Sequence, residues 1–179
     1  MPSKLLRAFC VMTVAAGFAT PALAAGPADC SKGAMPSGPL KGTIDGAAFL
    51  LESVTLDPNN TRDQGGVKFD EYHIYLHGKG GTVFDVTAIR PAGKFPDGYT
   101  FHSDINGEGP EAGPGSHEIQ GWSINNEGTK LEINFFEVND ASLQLGFGKR
   151  AGKALPAQIH FCAPSKKTEF GGSSTVPLK

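Results

Sequence analysis

The sequence lacks most of what marks an enzyme or a nucleic-acid protein. It has 3 cysteines, 1 tryptophan and 3 tyrosines among 179 residues. No C-x-x-C pair is present, so a structural zinc site is short of ligands. G-x-S-x-G and H-E-x-x-H are both missing, which removes the nucleophile elbow and the helical zinc-protease signature. No window carries a convincing amphipathic helical period, and no internal repeat is found. Basic excess is also missing: 16 Lys and Arg face 18 Asp and Glu. Nucleic-acid affinity comes mainly from cationic side chains neutralising phosphate, so nucleic acid is not the expected partner. The same balance argues against anionic membrane surfaces.

What is present begins with a leader. Lys4 and Arg7 precede a 12-residue apolar run from Ala8 to Ala19, followed by Ala22-Leu23-Ala24. This is the pattern of a secretory signal peptide over residues 1–24, cleaved after Ala24. The run is too short for a permanent membrane span, and no later segment approaches about 18 uninterrupted apolar residues. Stable membrane insertion is therefore not expected; the reading is a periplasmic or secreted chain. A lipoprotein would need a cysteine directly after the cleavage site, and Cys30 follows Pro27-Ala28-Asp29 instead. Loss of Lys4 and Arg7 leaves 14 basic against 18 acidic residues, a net charge of −4. Residues 25–39 read as an N-terminal segment and 40–179 as a single domain.

Cys10 leaves with the leader, so Cys30 and Cys162 remain. Two thiols in an oxidising compartment most simply form one disulfide. On the chain-entropy view, closing so long a loop is worth at most roughly 5 kcal/mol. Apart from that bridge, the residues before Leu40 and the last few residues are expected to lie loose.

The 24 glycines and 13 prolines punctuate short β-type runs. Strands are expected at 41–45, 47–57, 67–78, 82–90, 98–104, 117–125, 130–138, 141–149, 155–162 and 173–178. Spacing near ten residues with turn signals between runs predicts an all-β fold: an antiparallel, jelly-roll-like β-sandwich of nine or ten strands with one disulfide. Alternation puts Tyr72, Ile74 and Leu76 inward and His73, Tyr75 and His77 outward. Parity breaks twice. Ile119 and Trp122 need a bulge at Gly121 to share a face. Of the adjacent pair Phe135 and Phe136, one is exposed or shifted. Cys162, out of step with Ile159 and Phe161, should face outward beside His160 and Gln158. Residues 106–116 read as an exposed loop.

Candidate chemistry is thin. His73 and His77 lie four apart on a strand, about 13 Å at 3.3 Å per residue, too far to share one metal. His102, His117 and His160 are scattered. Asp57, Asn59, Thr61 and Asp63, and then Asp104, Asn106 and Glu108, offer oxygen ligands at alternate positions. Neither loop has the glutamate an EF-hand needs at its twelfth position, and Asx-rich turns account for both. Ser116 and His117 are adjacent and would point to opposite faces of a regular strand. No catalytic residue, metal ligand or cofactor site is therefore assigned. The candidate ligand surface is His73, Tyr75 and His77, with Trp122 as a further aromatic platform. If the chain is an enzyme, it is a carbohydrate hydrolase or lyase using carboxylates such as Glu132, Asp85 or Glu118. The 12 phenylalanines raise a third reading, a carrier of a small apolar ligand.

The segment 152–176, with Gly152, Lys153, Leu155, Pro156, Ile159, Cys162, Pro164 and Gly172, resembles the ending of a set of exported bacterial β-proteins. The stretch from Gly42 to Phe49 is similar to their opening. The resemblance implies a β-sandwich outside the cytoplasm and no particular activity. The expected role is an exported non-catalytic binding or structural module, its partner a polysaccharide, a protein or an envelope component.

Overall fold

The computed structural model describes Cys30, residues 35–103 and residues 118–178. The leader and the whole loop at 106–116 lie outside the described residues, as do His117 and the side chains of His102 and Glu118. Among the described residues ten strands run in order: β1 (Lys41–Ile44), β2 (Ala47–Gln64), β3 (Val67–Gly78), β4 (Thr82–Pro91), β5 (Thr100–Ser103), β6 (Glu118–Asn126), β7 (Leu131–Asn134), β8 (Ser142–Phe147), β9 (Ala154–Ala163) and β10 (Thr168–Pro177). The chain is all-β, and every ladder between these strands is antiparallel. The finer expectation of a jelly-roll-like pair of layers takes another form. All ten strands are hydrogen-bonded in one sheet, in the order β5-β8-β9-β10-β1-β2-β3-β4-β6-β7.

That sheet curls until its two halves meet. Phe84 on β4 packs at 5.0 Å from both Phe161 on β9 and Phe170 on β10, although three strands separate β4 from β10 in the sheet order. The inward set is the one alternation demands: Tyr72, Ile74 and Leu76 on β3, Phe84, Val86 and Ala88 on β4, and Leu143, Leu145 and Phe147 on β8 all join the core. Fully buried phenylalanines dominate it, and aromatic pairs at these separations add stabilisation beyond their area.

Local chemistry moves several boundaries. The Asx-rich stretch from Asp57 to Asp63 is not a loop; it continues β2 as far as Gln64. A register shift between Pro58 and Asn60 absorbs the proline, which has no N–H to give the ladder. The turn falls instead at Gly65-Gly66, where both φ angles are positive and the Asp63 carboxylate accepts from the Gly66 N–H at 2.9 Å. Asp57, Thr61 and Asp63 are thus strung along an extended strand and cannot ring a calcium ion. The run at 130–138 also splits. β7 stops at Asn134, whose side chain accepts from the Phe136 N–H at 3.1 Å and opens a single 3-10 turn at Phe135–Glu137. Phe136 is left 89% exposed. At β6 the register slips between Thr87 and Ala88, which pair with Gly121 and Ile119. That bulge brings Ile119 and Trp122 onto the same buried side.

Cys30 and Cys162 form the disulfide, with Cα atoms 5.6 Å apart across a separation of 132 residues. Cys162 is buried but outside the core cluster, as its outward parity requires. Residues 35–39 are not loose, contrary to expectation. Gly171 leaves room for Pro36, and Gly146 for Met35, where in each case a β-carbon would stand under 3 Å from the neighbour. The Ser173 N–H donates to the Gly38 carbonyl at 2.6 Å. Residues 35–39 therefore form a strap across the outer face of β8 to β10. The C-terminus is also held: Leu178 donates to the Lys153 carbonyl at 2.8 Å and packs on the core.

Candidate functional site

The strap covers one outer face. The other, across β2, β3, β4 and β6, carries the polar side chains that alternation sends outward. Directly opposed residues on neighbouring strands share a face, so the register builds this surface row by row. Tyr75 stands between Thr55 and Asp85, and the row continues through Ser123 to Asn134. His73 stands between Asp57 and Thr87, and His77 between Ser53 and Val83.

The three rings form a ladder. His73 and Tyr75 have centroids 5.9 Å apart and planes 17° from parallel; Tyr75 and His77 have centroids 6.2 Å apart and planes at 28°. All three are half-buried. The spacing is that of i and i+2 positions on one strand, so the strand itself sets it. The Tyr75 phenol is pushed above its ordinary value by burial first, then by the carboxylates of Asp85 and Asp57. It stays protonated and can donate a hydrogen bond.

One end of the ladder is an ionic cluster. Glu71, two residues before His73 on the same face, is only 3% exposed. Phe69 and Ile89, both outside the main core cluster, are buried next to it on that face. Its Oε1 lies 3.1 Å from His73 Nε2, and its Oε2 pairs with Arg62 Nε from β2. On the far side of the imidazole, His73 Nδ1 lies 3.5 Å from Asp85 Oδ1. Burial raises the Asp85 carboxyl, against the opposing pull of His73. The sequence reading passed over Glu71. Its parity with His73 placed it on this face, but nothing local shows that the glutamate is buried.

Trp122 does not belong to the candidate surface. It is 5% exposed and meets Phe161 edge to face at 4.7 Å and Phe84 at 6.3 Å, filling the space between the halves. The β6 bulge turns it inward. The carboxylates suggested for hydrolysis do not gather either. Asp85 lies opposite Ser123, whereas Glu132 lies opposite Asn125 on the next row and a further strand away. Two strand spacings put them about 10 Å apart or more. Glu118 occupies the register position opposite Ile89. The described histidine side chains do not converge: His160 is on β9, under the strapped face, with Nε2 3.7 Å from Glu169 Oε1. Among the described residues no group of three or more His, Cys, Asp or Glu side chains could hold a metal ion. No helix among them is long and apolar enough to cross a membrane.

Two cavities lie away from the ladder. An open one of about 650 Å³ is bounded by Pro36, Pro39, Lys41, Leu50 and Glu169. A smaller one of about 360 Å³ sits between the β1–β2 turn and the β6–β7 hairpin.

No family model, curated protein or solved structure matches this chain. The site must be read on its own chemistry.

Proposed function

We propose that the protein is an exported, non-catalytic module that binds a polysaccharide on the outer face of β2, β3, β4 and β6. The observation that carries this reading is the His73–Tyr75–His77 ladder, half-buried and bordered by Asp57, Thr55, Asp85 and Ser123. Rings supply apolar contact area with a polar tip. Hydroxyls and carboxylates beside them offer the donors and acceptors a sugar chain uses. Export is supported by the leader pattern at residues 1–24 and by the Cys30–Cys162 bridge, since disulfides persist in oxidising compartments. The hydrolase reading has less support, because Asp85 and Glu132 are not brought together. The carrier reading has less as well: the buried phenylalanines contact one another, with Phe161 and Phe170 at 5.3 Å.

The test is retention of the folded, leader-free protein on a panel of insoluble bacterial and plant polysaccharides. The reading expects retention on at least one, weakened tenfold or more by Tyr75→Ala with the circular dichroism spectrum unchanged. Retention on none, or retention indifferent to Tyr75→Ala, contradicts it.

A further inference from the structure

Where the β1–β2 turn meets the β6–β7 hairpin, the cavity of about 360 Å³ lies between two fixed walls. On one wall the Asp45 N–H donates to Thr168 Oγ1 at 3.0 Å, and the Gly46 N–H to the Lys167 carbonyl at 3.0 Å. The Thr168 hydroxyl in turn donates to the Lys166 carbonyl at 2.9 Å. On the other wall the buried Asn126 side chain is fully committed. Its Nδ2 donates to the Gly80 carbonyl at 3.1 Å and to Thr82 Oγ1 at 2.7 Å, and its Oδ1 accepts from the Thr129 N–H at 3.1 Å. A recess held this way exists before any ligand arrives, so binding loses no entropy in ordering a loop. The lining divides by chemistry. Ile44, Phe49 and Leu131 give an apolar floor. The charged lining residues are Asp45 and Lys130, one on each wall. Among the described residues neither side chain has an ion-pair or hydrogen-bond partner. Lys130 is held there at a backbone cost. Its φ is 56°, in the left-handed region that glycine, asparagine and aspartate enter more readily than lysine. Asp45 also has a positive φ, 48°, but Asp-Gly is the ordinary filling of a two-residue hairpin turn such as the one between Ile44 and Ala47. Nothing in its own turn calls for a lysine at 130.

We propose that this recess binds a small zwitterion with an apolar side chain, an apolar α-amino acid. Its ammonium group meets the Asp45 carboxylate, its carboxylate meets the Lys130 ammonium group, and its side chain lies against Ile44, Phe49 and Leu131. A volume of about 360 Å³ is at the small end of small-molecule sites, which suits a single amino acid rather than a chain of them. Opposite charges on facing walls also select. A ligand with one charge is attracted by one wall and repelled by the other, whereas a zwitterion satisfies both. The recess shares no lining residue with the His73–Tyr75–His77 ladder, so it stands independently of the polysaccharide reading.

The test is amide chemical-shift titration of the leader-free, disulfide-intact protein with L-leucine, L-methionine and L-phenylalanine. At least one should shift the Asp45, Gly46, Thr129 and Lys130 amides saturably below about 10 mM. Three analogues of the tightest binder each remove one contact: the acid without its amino group, the amine without its carboxylate, and glycine, without the side chain. Each should bind about tenfold more weakly or worse. Asp45→Asn keeps a residue suited to the turn, and Lys130→Gly relieves the left-handed backbone. Both should fold, Lys130→Gly with an unfolding midpoint at or above that of the wild type. Both should lose about tenfold or more in affinity for the amino acid. A lysine kept only for structure would not give stability retained with affinity lost. Should one variant not fold, the other is read alone. No saturable shift at these amides with any of the three amino acids overturns the proposal. Equal binding of glycine or of a singly charged analogue overturns it too, as does undiminished binding by a folded variant.

Discussion

Trp122 and Phe161 meet edge to face, 4.7 Å between centroids, one from each half of the curled sheet. The contact welds the halves and leaves the indole no surface for a ligand. Truncating a large buried aromatic costs about 3–5 kcal/mol. Trp122→Ala should therefore lower the unfolding free energy by that amount in urea titration, with near-complete loss of the near-ultraviolet dichroism of the core. A loss under about 1 kcal/mol would place the indole at the surface.

The disulfide ties the strap to β9. Removing a native bridge from a small exported domain typically costs about 2–5 kcal/mol. The double variant Cys30→Ser/Cys162→Ser should fall in that range by urea denaturation. Thiol titration of the native leader-free protein should count no reactive sulfhydryl. Two per molecule would contradict the bridge.

Gly42 is where β1 presses on β10, the junction on which the continuity of the sheet depends. A methyl group there would stand 2.2 Å from the Glu169 carbonyl oxygen and 2.4 Å from the Phe170 Cα. Backbone cannot step aside as a side chain can, so Gly42→Ala should destabilise by about 1–3 kcal/mol or more. Gly121 in β6 has no atom within 4 Å of the same position. Gly121→Ala should leave the urea midpoint nearly unchanged. Equal effects at the two sites would show that the junction is not tight.

Asp85 links stability to pH. Burial raises its carboxyl pKa in the folded state above the unfolded value. The folded protein therefore holds this proton more tightly than the unfolded chain does. The contribution is fully present below the ordinary aspartate value and is lost as pH rises through the higher folded value. Asp85→Asn should flatten the stability profile across that window, measured by thermal unfolding at successive pH values. A wild type that instead gains stability relative to the variant as pH rises there would reverse the assigned direction.

Much of this was legible in the sequence because β-alternation is a local signal. The period of two in "YHIYLHG" assigned Tyr72, Ile74 and Leu76 to the core and the His73–Tyr75–His77 ladder to the outer face. The clash in parity between Ile119 and Trp122 called for a bulge, and the register slips at that place. What stayed hidden depends on partners far away in the chain. "DPNNTRD" carries turn chemistry, yet pairing with β3 keeps it extended. The strap depends on Gly146 and Gly171, more than 100 residues from Met35 and Pro36. The burial of Glu71 depends on Arg62, Phe69 and Ile89 closing around it. Alternation shows which face a side chain takes, not how crowded that face is.

The central claim is that the ladder face, not the strapped face, meets the ligand. The most direct measurement is amide chemical-shift mapping of the leader-free protein, titrated with soluble fragments of whichever polysaccharide retains it. The account predicts shifts concentrated at Ser53, Thr55, Tyr75, His77, Asp85 and Ser123. Shifts centred on His160, Glu169 and Gly171, with the ladder silent, would contradict it.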